Sequence, residues 1–208
     1  TIFIQNLPSG VLGILMCFHF KQTKNEDSFK SQGIKGTPLT GVYNGFVHPN
    51  VSCITEARPY DISNLSWGLI PDWSKTEEIK KYTLNARYET LNEKPSFKNA
   101  KRCVIFADGF YEWKWLDSKG NKKQKYLLEF PDSGLFGFAG LYDVWVNKET
   151  GEIINSCSIV TTSAKGIMKE IHNSKLRMPV TLNMDSLTDW LTYKTINFNS
   201  EFKAMTTD

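Results

Sequence analysis

From residue 50 onward the chain runs in short stretches of β-branched and aromatic residues, broken by Gly, Asn, Asp and Pro. That pattern predicts strands joined by turns. Strands are expected over 51–57 and 65–70. The segment 102–114 (RCVIFADGFYEWK) reads as a buried strand, a turn at Asp108-Gly109 and a second strand. Further strands are expected over 124–130, 135–146 and 153–161, all rich in residues that suit a pleated surface. Asn147 to Gly151 supplies turn residues, so 140–161 is expected to form a hairpin. Helical signals are shorter. The polar stretch 21–41 predicts a short helix and then a loop. Residues 75–92 predict a short helix and an extended piece, and 164–172 another short helix. Residues 185–193 (DSLTDWLTY) place apolar side chains at helical spacing, with Asp185 as the N-cap. Strands dominate, so the expected class is α+β with mostly antiparallel sheets.

The first residues interrupt this pattern. Val11 to Met16 is apolar, yet no Lys or Arg precedes Lys21, which is unlike the basic start of an export signal. The alternative reading takes Met16 as the initiator. Its removal would leave Cys17 as the N-terminus. On that reading residues 1–16 are an extension absent or removed in the active protein, and 17–208 form one domain.

Composition narrows the class without naming a chemistry. The chain has 208 residues, 40% hydrophobic and 23% charged. That is globular and neither disordered nor membrane-embedded. A net charge of +3 permits a nucleic-acid partner but does not argue for one. The four cysteines are isolated, with no CxxC, and the three histidines have no ligand spacing, so no metal site is expected. Cys53, Cys103 and Cys157 fall in apolar strands and read as buried reduced thiols of a cytoplasmic protein.

Four patches carry chemistry-bearing side chains: Met16-Cys17; WGLIPDW (67–73) with NARYET (85–90); ADGFYEW (107–113); and Ile171-His172 with Arg177-Met178-Pro179. Each has a plain structural reading. Strand alternation would put Glu112, between Tyr111 and Trp113, on a solvent face. His172 would suit a helix end, and the tryptophans would suit a core.

Taken together and in this order, the patches resemble the SOS-response-associated peptidase (SRAP) family of abasic-site processing proteins, from Met16 to about Tyr193. The resemblance implies antiparallel sheets around an open, barrel-like core with flanking helices. It implies a covalent thiazolidine crosslink between an N-terminal Cys and abasic sites in single-stranded DNA, with autoproteolysis and weak lyase activity, no cofactor, and a monomer without a membrane partner. Cys17, Asn85, Glu112 and His172 would be catalytic. Arg87, Trp73, His19 and Arg177 would contact DNA. Two departures stand out. Phe18-His19 replaces the family's usual Gly-Arg after the Cys, and Asn173 to Leu176 separates His172 from Arg-Met-Pro where one residue is usual. Alternative functions are a cysteine peptidase acting on peptides and a non-catalytic single-strand binder.

Overall fold

The computed structural model describes residues 18–196, 198 and 200–208. Cys17 and the expected extension 1–16 lie outside the described residues. Among those described, the strands are β1 (His19–Gln22), β2 (Gly41–Asn44), β3 (Asn50–Thr55), β4 (Arg58–Trp67), β5 (Asn85–Arg87), β6 (Lys101–Ala107), β7 (Gly109–Trp115), β8 (Lys123–Glu129), β9 (Phe136–Val146), β10 (Ile153–Ser163), β11 (Arg177–Pro179), β12 (Thr181–Leu182) and β13 (Lys203–Thr207). The helices are short: α1 (Glu26–Lys30), α2 (Met168–Ile171) and α3 (Leu187–Leu191).

Five strands close into a ring, in the order β10-β4-β3-β6-β9 and back to β10. A second sheet, β13-β8-β7-β1-β2, covers it. One apolar core joins the ring to this sheet: Phe20 of β1 and Phe110 of β7 meet Trp67, Phe138 and Ile159 from the ring strands. A second core lies on the other face of the ring strands, where Phe29 of α1 and Leu187 and Trp190 of α3 cover Val104, Phe106 and Val160. Trp190 also donates its indole N–H to the Cys103 carbonyl (2.9 Å), which ties α3 to β6. Both cores obey the two-residue period of a strand, which sends alternate side chains to opposite faces.

The ring is split at one end. β9 and β10 pair from Ile153↔Val146 as far as Ile159↔Gly140 and then diverge. Residues 177–182 enter the gap. The Ala139 N–H donates to the Val180 carbonyl and the Val180 N–H to the Val160 carbonyl, both at 2.9 Å. β11 continues along β10 and β12 along β9. β5 joins β10 in parallel on its other edge, beyond the end of the β4 pairing, from Ile159↔Asn85 to Thr161↔Arg87. Both edges of this end of β10 are thus paired, one by residues 177–179 and the other by β5.

The expected α+β class and strands over 102–114, 124–130, 135–146 and 153–161 are present, as is the β9–β10 hairpin. Asp185 is not the helix cap. The helical segment begins one turn earlier, with Asn183 before a 3-10 turn at Met184–Ser186 and Ser186 before α3. Strands β1, β2 and β13 fall where no strand was expected, and β4 begins at Arg58, inside a polar run.

Gly137 sets how closely α3 approaches β9. A Cβ there would overlap Val104 Cγ1 and come within 2.9 Å of Leu187 Cδ2. Gly137→Ala should therefore destabilise the protein by about 1–3 kcal/mol through overpacking. Val104→Ala in the same chain should recover part of that loss. Urea unfolding of the two variants and the parent checks both expectations.

Candidate active site

Glu112 departs from the solvent-face reading. Phe110 points into the core, so Glu112, two residues on along β7, shares its face, and Tyr111 and Trp113 take the other. Glu112 is only 2% exposed. A carboxylate in that position is costly without partners. Its neighbour is His172, 6% exposed, which follows the last turn of α2.

The His172 ring is held in one orientation. Its Nδ1 lies 2.9 Å from the Arg177 carbonyl oxygen. A carbonyl only accepts, so Nδ1 carries the hydrogen and Nε2 is the ring nitrogen turned towards Glu112. Nε2 lies 3.9 Å from Glu112 Oε2. That distance is too long for a direct hydrogen bond and suits a reacting group in contact with both.

Arg177 fixes the carbonyl that holds His172. Its guanidinium grips Glu89 in a two-pronged contact (Nη1 to Oε1 2.7 Å, Nη2 to Oε2 2.8 Å), and Nη2 also donates to the Thr161 carbonyl at 2.8 Å. Glu89 in turn accepts from the Thr162 hydroxyl and the Ser163 N–H. Burial alone would raise the Glu89 pKa. The Arg177 hydrogen bonds and charge outweigh it and bring the carboxyl to about 2. Arg177, expected on the DNA track, is thus 8% exposed, with both fork nitrogens committed inside the protein. Glu89 was missed as a site residue, although it lies within the NARYET stretch.

β5 carries Asn85 and Arg87 on one face, two residues apart, beside Ile159 and Thr161 of β10. Asn85 is half-buried. Arg87 is exposed and has no ion pair among the described residues. Cys17 lies outside the described residues. Its chain neighbour Phe18 stacks on Trp113 (centroids 5.2 Å apart, planes 4° apart), one residue beyond Glu112. His19 lies edge-on to Phe18 and Trp113. Burial, and then the Lys125 charge, lower its pKa to about 4. The ring is therefore neutral near pH 7 and does not supply the cation of the arginine it replaces. Trp73 is 54% exposed, its indole N–H donating to the Pro95 carbonyl at 3.3 Å. Its neighbour Asp72 donates its N–H to Asp143, which pairs with Ser156. Ser156 lies five residues before Thr161 on β10, or about 16 Å at ~3.3 Å per residue. Trp73 and Arg87 thus flank β10 towards opposite ends.

The longer loop after His172 is anchored. The Trp115 N–H donates to Asn173 Oδ1 (3.0 Å), and Asn173 Nδ2 donates to the Trp115 carbonyl (2.9 Å). Asn173 thereby ties the His172 loop to the strand bearing Glu112. Cys53, Cys103 and Cys157 are fully buried and reduced, as expected. Among the described residues no group of His, Cys, Asp and Glu is arranged to hold a metal, and no helix is long and apolar enough to cross a membrane.

The SOS response associated peptidase (SRAP) family model matches residues 16–207. The abasic site processing protein YoqW of Bacillus subtilis is 46% identical over 156 residues, which span 73% of this chain and 67% of that protein. The abasic site processing protein HMCES of Pongo abelii is 30% identical over 176 residues, 69% of this chain, and the match spans about half of that relative (49%). A crystal structure of a protein from Bacteroides thetaiotaomicron superposes with a TM-score of 0.82 at 30% identity, covering 92% of both chains. A Bordetella bronchiseptica protein shares the fold at 22% identity and TM-score 0.76, covering 92% of this chain and all of that one.

The depressed Glu89 pKa fixes a pH dependence. A carboxyl whose folded pKa lies below its unfolded value stabilises the fold above the unfolded pKa, about 4.3. That contribution fades as the pH falls towards about 2. Glu89→Gln should lower stability at pH 7 and flatten the fall in stability between about pH 4.5 and 2. Urea melts across that range measure the slope. An unchanged slope would show that the Arg177–Glu89 pair does not hold the site together.

Proposed function

Because the chain belongs to the SRAP family, we propose that it processes abasic sites in DNA, reacting with the ring-opened sugar through the amine and thiol of Cys17 as the first residue. The observation that carries this reading is the buried Glu112 carboxylate facing His172 Nε2 at 3.9 Å, with Phe18 stacked on the adjacent Trp113. The names of the relatives support the substrate.

The reaction takes two steps. The Cys17 amine attacks the C1′ aldehyde, and water leaves to give an imine. The thiol then adds across the C=N bond, sulfur to carbon and hydrogen to nitrogen, closing a five-membered thiazolidine. An N-terminal amine (pKa about 7.7–8.0) and a thiol (about 8.5) both reach their nucleophilic forms near neutrality. Their place on one residue makes the second step intramolecular.

His172 Nε2 would move protons at the sugar oxygen as the ring opens, since Nδ1–H is held by the Arg177 carbonyl. Glu112 would take the amine proton and assist loss of water. Asn85 would orient the sugar. Arg87, exposed beside it, would grip a flanking phosphate. Trp73 would stack on a base further along the strand. His19 would meet the strand as a neutral ring. Arg177 would serve the DNA site through the His172 orientation it imposes. The imine also acidifies the adjacent sugar carbon, which gives a weak strand-cleaving lyase. Removal of residues 1–16 by the same Cys17 would be the peptidase activity. The proposed substrate is single-stranded DNA, and the proposed acting form is a monomer of 17–208.

Mass spectrometry tests the chemistry. A chain beginning at Cys17, mixed with an abasic oligonucleotide, should give a denaturation-resistant adduct with the mass of both partners less one water. Glu112→Gln should slow adduct formation by roughly 10²–10⁴-fold. A chain that retains residues 1–16 has an amide nitrogen at Cys17 and should form no adduct. Equal crosslinking by a demonstrably unprocessed chain would remove the aminothiol mechanism.

A further inference from the structure

Charge is distributed unevenly over the protein. Residues 113–125, the facing ends of β7 and β8 and the turn between them, contain Lys114, Lys119, Lys122, Lys123 and Lys125 against Asp117 alone. This hairpin therefore carries +4 in a chain whose total is +3. None of the five ammonium groups has an ion pair among the described residues, whereas Lys21, Lys30, Lys80, Lys81, Lys194 and Lys203 all do. Asp117 does not neutralise them. Its carboxylate accepts the backbone N–H groups of Lys119, Asn121 and Lys122 at 2.9, 3.1 and 2.6 Å and so closes the turn. Lys119, Lys122 and Lys123 are exposed. Unpaired like charges in one small region repel each other, and that cost is relieved by a polyanion.

The arm is fixed in shape. Gly120, with φ +70°, lies so close to the Trp115 indole that a Cβ would come within 2.7 Å of its ring atoms. The Lys123 ammonium sits 5.4 Å from the centre of the same ring, and that of Lys125 sits 4.8 Å from the Tyr111 ring. The backbone of Trp115 is bound on both polar groups by Asn173, the residue after His172. The lysines are thus carried on a hairpin whose base holds Glu112 and whose side is bolted to the His172 loop. A strand held at the reactive pair has this basic arm beside it.

We infer that the β7–β8 hairpin binds the sugar-phosphate backbone of the DNA strand running away from the abasic site, with Lys119, Lys122 and Lys123 as its phosphate contacts. The inference rests on the abasic-DNA reading and extends the site to a second stretch of the same strand. It accounts for a protein of low total charge that still grips a polyanion, because the charge is gathered where the strand passes.

The test separates the two readings by measuring binding without the covalent step. The probe is a single-stranded oligonucleotide with a non-reactive tetrahydrofuran abasic analogue and long flanks. Its affinity is followed across a salt series for the chain beginning at Cys17 and for the triple variant Lys119→Gln, Lys122→Gln, Lys123→Gln. At about 0.7 per phosphate contact on a single strand, the slope of log K against log salt should fall by about 2 units, and low-salt affinity by about tenfold or more. The triple Lys→Arg variant should retain the parent slope. On an oligonucleotide trimmed to one nucleotide each side of the lesion, parent and variant should bind alike. With a true abasic site at saturating DNA, the crosslinking rate should be unchanged. Thermal melts by circular dichroism confirm that the variants are folded. An unchanged salt slope on the long probe, or an equal loss on the trimmed one, would overturn the arm. Failure of the parent itself to crosslink a true abasic site would instead overturn the function on which the arm rests.

Discussion

The divergence of β9 and β10 beyond Gly140 is the constraint on which the rest of the structure depends. A closed five-stranded ring has no free edge, and a split ring has two. Here the two edges are satisfied by one segment, residues 177–182, which bonds to Ala139 on one side and Val160 on the other. Gly140 sits where the strands part. A side chain there would press on Cys103 Sγ (2.8 Å) and Ile105 Cδ1 (2.9 Å) of β6 and on the Ser158 carbonyl oxygen of β10 (3.2 Å). The inserted segment brings Arg177 and, through its carbonyl, His172 to the end of the ring. On the opposite edge of β10, where β4 leaves off after Cys157, β5 pairs with Ile159 to Thr161 and brings Asn85 and Arg87. What closes the fold therefore also assembles the site.

The hydrogen bonds around the site form a hierarchy. The Arg177 guanidinium and the Glu89 carboxylate lock two connections together. The Arg177 carbonyl then selects the His172 tautomer. Only the last contact, Nε2 to Glu112, is left long. A polar network whose supporting members are bonded holds its groups in a single arrangement. Asn173 closes the hierarchy from outside by joining the His172 loop to Trp115.

Much of this was legible in the sequence. The strands from Lys101 to Ser163 are apolar on at least one face and bounded by strong turn residues, so their pattern declares them. β4 is less visible because Arg58, Pro59, Asp61 and Asn64 interrupt its pattern, and its first residues are largely exposed. β1, β2 and β13 belong to the covering sheet, where only one face is buried and the strands are four or five residues long, too short for alternation to register. Glu112 is the instructive residue. Its neighbours Tyr111 and Trp113 suggested an outward carboxylate, yet Phe110 had the stronger claim on the core and took Glu112 inward with it. The meeting of His172 and Glu112 was expected from the family resemblance alone; strand and helix patterning does not show it, since a split ring brings together residues sixty positions apart. The roles of Glu89 and Arg177 were hidden for the same reason. A guanidinium and a carboxylate in separate motifs do not show from sequence whether they face DNA or each other.

The segment that fills the split ring follows both strands it joins, so it docks on edges already made. Glu112 on β7 precedes His172 by sixty positions, so it is made with no histidine beside it. β10 must be complete, then α2, and residues 177–182 must thread between two strands, before the imidazole is oriented. Contacts of such long sequence separation slow folding, because the entropy of loop closure must be lost before they form. A chain cut before residue 172 therefore holds the Glu112 carboxylate without the imidazole that faces it in the complete fold.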